Sequence, residues 1–325
     1  MNIKIKCCCA VFMIFVLAAN ITGCSSAVNS EQSRTGDDKI SIVTTIFPPY
    51  DFAKAIGGDK VEVTMLLAPG VESHSYEPTP QDIIKINKSD LFIYVGGESD
   101  AWVDGIMDSL DQKVQTMTLM DCVEAVAEEQ VEGMETTEEE SHGEQEAEEP
   151  EYDEHVWTSP RNASLITAKI ADALCMIDED NQLEYRSNQK AYQRELEELD
   201  QAYQEVVAHA VRKELVFGDR FPFRYLTEAY GLTYYAAFPG CSSETEPSAA
   251  TIAFLTKKVR EDQIPVVLYL ELSNHKVADA IAEATGAETA MLHSCHNISK
   301  DEVEEGVTYI SLMKQNLEVL KGALQ

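Results

Sequence analysis

The mature part of the chain offers seven histidines, His74, His142, His155, His209, His275, His293 and His296, and no other residue type is so suggestively placed. Imidazole and carboxylate from three or four residues distant in sequence are what zinc and its neighbours take as ligands. Three of the histidines stand in loops where an open parallel sheet presents its ligands, beyond the C-terminal ends of strands. His74 follows the apolar run Val61–Leu67 within Ala68-Pro69-Gly70-Val71-Glu72-Ser73-His74. His293 follows Glu288–Leu292, and His155 stands in Asp153-Glu154-His155-Val156-Trp157, just before a helical stretch. His209 falls on a long helix and His275 at the start of another, positions read as structural.

The elements that must hold these loops alternate. From Lys39, short apolar strands and helical segments follow one another, the signature of an α/β fold with a mostly parallel sheet. Strands are predicted at 40–45, 61–67, 91–95 and 116–119, with helices at 48–56, 80–87, 100–110 and 162–177. The rhythm resumes with strands at 214–217, 233–237, 266–270 and 288–292, and helices at 222–230, 248–261, 276–284 and 301–324. Between the halves, Leu183 to Val211 contains no glycine or proline and carries a heptad-like apolar set. That predicts a helix of about 43 Å, read as a stiff strut. The expectation is two Rossmann-like lobes, 39–181 and 213–325, joined by one long rigid helix at 182–212.

Charge narrows the partners. The 325 residues hold 57 acidic against 25 basic side chains, a net charge of −32. Such a surface repels nucleic acid phosphates and anionic lipid and suits a cation. Fifteen of the acids fall between Glu124 and Glu154, a stretch without Lys or Arg. Its composition predicts a mobile loop, read as a weak cation collector that ends at His155.

The first 24 residues read as a targeting segment. Lys4 and Lys6 precede an apolar run from Cys7 to Ala19, too short for a membrane-spanning helix of ~20 residues. It ends in Ile21-Thr22-Gly23-Cys24, which resembles the lipobox of bacterial lipoproteins, with Cys24 the lipidated residue. Residues 25–38 have the composition of a flexible tether. Of the remaining cysteines, Cys241 and Cys295 both follow predicted strands of the second half, and a disulfide between them is the expectation. Cys175 is read as a buried free thiol.

The segments Pro69-Gly70-Val71-Glu72-Ser73-His74-Ser75-Tyr76-Glu77-Pro78-Thr79-Pro80 and His155-Val156-Trp157-Thr158-Ser159-Pro160, with Tyr309 to Leu320 at the end, carry a family resemblance. From about Lys39 onward the chain resembles the cluster A-I substrate-binding proteins of metal ABC transporters. The resemblance implies a clamp of two lobes with metal between them, and His74 and His155 as ligands from the first lobe. In the second lobe the chain departs from the pattern. At the usual third-ligand position it reads Phe217-Gly218-Asp219-Arg220-Phe221, with Gly218 aligned there, and a later aspartate position falls on or near His293. His293 is therefore the expected third ligand, with Glu271 and His296 competing for the fourth place.

Three histidines favour zinc over manganese, which prefers more carboxylate oxygen. The resulting expectation is a monomeric, lipid-anchored extracytoplasmic protein that captures zinc and passes it to the permease and ATPase of an importer. No Gly-x-x-x-x-Gly-Lys-Ser/Thr loop is present, so the ATPase must be a partner. A surface adhesin or signalling lipoprotein is the alternative. A zinc hydrolase is disfavoured by the lack of His-Glu-x-x-His and Gly-x-Ser-x-Gly motifs.

Overall fold

A computed structural model describes residues 39–72, 76–111, 113–135, 151–242 and 246–325. Cys24 with the targeting segment and tether, His74, and His142 with most of the acidic stretch lie outside them. Residues Lys39–Gln325 form one compact unit. Its strands are β1 (Ile40–Thr44), β2 (Val61–Met65), β3 (Leu91–Tyr94), β4 (Gln115–Thr118), β5 (Glu214–Phe221), β6 (Thr233–Pro239), β7 (Val266–Tyr269) and β8 (Glu288–Met291). The helices are α1 (Phe47–Gly57), α2 (Pro80–Lys88), α3 (Asp104–Met107), α4 (Pro160–Ile177), α5 (Gln182–Ala208), α6 (Arg224–Tyr230), α7 (Ala249–Glu261), α8 (Lys276–Thr285), α9 (Lys300–Glu305) and α10 (Tyr309–Ala323). No helix among the described residues is long and apolar enough to cross a membrane.

The strands form two four-stranded parallel sheets of the same topology, β2-β1-β3-β4 and β6-β5-β7-β8. Runs such as Ile40-Ser41-Ile42-Val43 and Val266-Val267-Leu268 are apolar because parallel strands are covered on both faces. One face of each sheet joins a shared core that includes Ile42, Phe52, Trp157, Leu196, Phe217, Tyr309 and Leu320. The opposite faces have smaller clusters of their own, around Phe92 in the first lobe and Val267 in the second. In each sheet the chain order reverses between the first and third strands, and ligands of such sheets bind at that crevice. Thr45 and Val95 stand beyond this point in the first sheet, and Pro222 and Leu270 in the second.

Helix α5 is 27 residues, which makes it about 40 Å long. It buries Tyr185, Gln189, Tyr192, Leu196, Leu199, Tyr203 and Val207 along one side and packs on α1, α4 and α10. The expected strut is thus cradled along its length. Helix α10 binds both lobes. Tyr309 donates its hydroxyl to Trp157 O (2.6 Å), while Asn316 Nδ2 donates to His293 O (2.7 Å) and Asn316 Oδ1 accepts from His293 N (2.8 Å).

Several expectations change, among them the final helix predicted at 301–324, which is broken at Gly306 into α9 and α10. Strand β5 continues past Phe217 to Phe221, with a register shift against β6 between Phe217 and Arg220. A Cβ on Gly218 would stand 2.5 Å from Ala278 Cα, so this residue is where α8 presses its backbone onto the strand. The acidic stretch is fastened at both roots. Ala127 pairs with Tyr152, Tyr225 Oη donates to Asp153 O (2.7 Å), Glu135 N donates to Ala237 O (3.0 Å), and Met134 is buried. These contacts, with Glu135 Oε1 accepting from Ser248 N (2.5 Å) and Glu129 paired with Arg224 (3.6 Å), offset the acidic composition by giving backbone and carboxylates partners on the second lobe. Finally, Cys122, Cys175, Cys241 and Cys295 are all free thiols, so the expected Cys241–Cys295 disulfide is not formed. Cys295 turns into the core, while Cys241 stays half-buried beside His155 and Glu154.

Candidate metal centre

His155 sits on the short turn that leads into α4, and its side chain is fully buried. The sequence places an aspartate two residues before it. Asp153 Oδ1 accepts from His155 N (2.8 Å) and lies 3.3 Å from ring Nδ1. A carboxylate at Nδ1 fixes the ring and its tautomer, leaving Nε2 to carry the lone pair that a metal needs. Burial disfavours a charged ring here, but Asp153, with Glu154 and Glu128 beyond it, outweighs burial and raises the His155 pKa above 6.5. Next in sequence, Trp157 is buried and donates Nε1–H to Ser294 O (2.8 Å), which ties this turn to the loop after β8.

That loop, Leu292 to Ile298, carries two histidines that point differently. His296 stands edge-on to His155, with ring centroids 5.4 Å apart, and its own ring centroid is 5.0 Å from that of Trp157. Two imidazoles on one tetrahedral zinc, with Zn–N near 2.0–2.1 Å, have centroids about 5 Å apart. The observed pair is close to that geometry. His155 and His296 line a cavity of about 30 Å³ with Val71, Glu72, Arg220, Glu271 and Asn297.

His293 does not reach this cavity. Its Nδ1 accepts from Cys295 N (2.9 Å) and lies 3.5 Å from Glu271 Oε1, while Nε2 lies 3.3 Å from Glu302 Oε1. His293 is thus held between Glu271 and Glu302, away from the cavity. Glu302 responds as a partner should: the hydrogen bond from His293, opposed by burial, lowers its pKa to about 2. Glu271, at the end of β7, is further fixed by Ser294, whose N–H donates to Oε2 (2.7 Å) and whose hydroxyl donates to Oε1.

The loop that bears His74 is led to the same place. Asn297 Nδ2 donates to Ala68 O and Val71 O, each at 2.8 Å, and Gly70 N donates to Ile298 O (2.8 Å). Arg220 makes a two-pronged ion pair with Glu72, at 3.2 and 3.0 Å. This pair joins β5 of the second lobe to the loop after β2 of the first. Asp219 is occupied in holding backbone, with Oδ2 accepting from Leu270 N (3.1 Å) and Oδ1 from Arg220 N (2.9 Å).

Two residues near His155 add to the inventory. Glu154 accepts from Ser99 N (3.0 Å) and from the Ser99 hydroxyl, and Cys241 follows β6. Donor atoms of Glu154, His155 and Cys241 lie within 4.8 Å of one another. Neither was read as a donor from the sequence, although a carboxylate next to His155 and a cysteine just past a strand end were visible there. His209 and His275 are exposed and do not line the cavity of His155 and His296; His275 pairs with Asp279 (2.9 Å) and His209 with its own helix backbone.

Two parallel-sheet lobes enclosing a buried, carboxylate-rimmed imidazole pair define a binding protein for a small cation. The chain belongs to the family described as Zinc-uptake complex component A, periplasmic, whose model matches residues 42–323. It is 36% identical over 318 residues to the high-affinity zinc uptake system protein ZnuA of Bacillus subtilis, covering 96% of this chain and 97% of that one. It is 33% identical to the zinc-binding lipoprotein AdcA of Streptococcus pneumoniae over 90% of this chain, but spans only 58% of AdcA. The crystal structure of the Zn(II)-bound ZnuA-like domain of AdcA superposes with a TM-score of 0.73 at 31% identity, over 88% of this chain and 99% of that domain. The laminin-binding protein of Streptococcus agalactiae, described as a bifunctional protein with adhesin and metal transporting activity, gives 0.73 at 26% identity, over 88% and 100%. The family is one of solute-binding components of zinc uptake, not enzymes.

Proposed function

We propose that this protein is the lipid-anchored capture component of a zinc importer, holding Zn²⁺ between its lobes through His155, His296 and His74. The carrying observation is the His155–His296 pair, 5.4 Å between rings in a cavity of about 30 Å³. Asp153 keeps one imidazole in the ligating tautomer, and Glu271 stands ready as an oxygen donor at the cavity wall. His74, which lies outside the described residues, is assigned to the set on the sequence motif Pro69 to Pro80 alone. His293, the ligand expected from sequence, is left out of this set because it does not line the cavity.

Zinc is favoured over manganese by this imidazole-rich set. The acidic rim raises the local concentration of cations before capture. Delivery then requires a membrane permease and its ATPase, and Cys24 as the acylated anchor keeps the protein at the membrane face. The test is a zinc titration of wild type, His155→Ala and His296→Ala against a competing chelator. One tight site that both substitutions destroy supports the assignment. Undiminished binding in His296→Ala sinks it. A second role in adhesion is favoured by the likeness to the Streptococcus agalactiae protein, and immobilised laminin is the ligand to try.

A further inference from the structure

Cys241 has no part in the centre described so far, yet it lies against it. Strand β6 ends at Pro239, and Gly240 then passes so close that a Cβ there would stand 3.1 Å from His155 Cε1 and 3.3 Å from Nδ1. The next residue therefore arrives with its sulfur beside the imidazole, within 4.8 Å of donor atoms of both His155 and Glu154. In a tetrahedral zinc centre with Zn–S near 2.3 Å and Zn–N or Zn–O near 2.0 Å, neighbouring donors are about 3.3–3.7 Å apart. A shift of about 1 Å in flexible side chains closes that difference.

We propose that Cys241 is a sulfur ligand for the cation held by His155, completing a four-donor set with His296 and His74, with Glu154 beside it outside that set. This rests on the reading of His155 as a metal ligand. Two hydrogen bonds from Ser99 hold the Glu154 carboxylate in place beside His155. The thiol lies near the Glu128 carboxylate on the root of the acidic stretch. When the metal–sulfur bond forms, the S–H proton departs to solvent, directly or by way of that carboxylate. The consequence is selectivity: a thiolate ranks zinc and cadmium above manganese and magnesium, which imidazole and carboxylate do less sharply.

Cadmium is the probe, because a thiolate ligand gives it an ultraviolet charge-transfer band. Full-chain wild type and Cys241→Ser are titrated with Cd²⁺ to one equivalent. All the other thiols are common to both proteins, so the difference reports Cys241 alone. The expected result is a band in wild type that shrinks by one thiolate in Cys241→Ser. Cadmium affinity should fall by at least the roughly 10- to 100-fold that loss of an outer-sphere partner costs a metal site. Cys241→Ala, with an unchanged circular dichroism spectrum, should behave likewise. Identical bands in wild type and variants, with zinc still tightly bound by all, overturn the sulfur ligand and leave the zinc centre standing. Absence of any tight zinc site in wild type overturns both.

Discussion

Replacing Asp153 by Asn removes a charge but almost no volume, and its effects on zinc binding should run in opposite directions on the pH axis. Asp153 holds His155 at 3.3 Å and also accepts the residue's own N–H. Loss of such an outer-sphere carboxylate costs about 10- to 100-fold in affinity, or about 1.4–2.7 kcal/mol. At neutral pH the variant should therefore bind more weakly by that factor. The same carboxylate is the largest influence raising the His155 pKa above 6.5. Metal needs the neutral ring, so in wild type protons compete from above 6.5 downward. In Asp153→Asn that competition should begin at lower pH, and the affinity gap should narrow as the solution is acidified. Chelator competition at half-unit pH steps measures both, with thermal melts to confirm folding. The backbone of residue 153 keeps its bonds to Val126 and Tyr225 in either protein. An acid midpoint that stays put, or moves up, refutes the orienting role of Asp153.

His293→Gln should lower the melting temperature of the metal-free protein and weaken zinc far less than His296→Ala does; equal loss in both would return His293 to the ligand set. Trp157→Ala should cost about 3–5 kcal/mol in denaturant titrations, since a fully buried indole and its bond to Ser294 O are lost together. Gly218→Ala should destabilise by about 1–3 kcal/mol, because its Cβ would press on the α8 backbone, and leave zinc affinity intact. Glu302 has its pKa lowered from 4.5 to about 2, so its stabilisation is complete above pH 4.5 and vanishes as pH falls through 2. The melting-temperature gap between metal-free wild type and Glu302→Gln should follow that course, being widest above pH 4.5; a gap that persists unchanged near pH 2 would show that the charge is irrelevant.

The parallel sheets were legible because buried strands such as Val266-Val267-Leu268-Tyr269 are too apolar for any other place, and α5 because nothing from Leu183 to Ala208 breaks a helix. The site was legible only to the level of loops. His293 and His296 lie three residues apart in one segment, and which of them turns to the cavity depends on partners far away. Asn316, Glu302 and Glu271 hold the first, and Ser294, tied to Trp157 and Glu271, sets the turn before the second. Local composition holds no record of such contacts. The end of β5 was missed for a related reason: glycine at 218 reads as a stop, when it is the small residue that lets a helix lie on a continuing strand. The acidic roots show the reverse case, in which a polar run is ordered through its backbone.

The bracing of the two lobes has a kinetic consequence. A clam that swung wide would release its cargo whenever it gaped, but α10 is bonded to the first lobe at Tyr309 and to the second at Asn316, and α5 runs alongside. For an ion held at the proposed site, the covering element with the fewest ties would be the stretch from Ala68 to Glu72, fastened by Arg220 and Asn297. On the proposed reading, slow loss of zinc would then be traced to that one short strap, and loosening it by Arg220→Ala should speed release without separating the lobes.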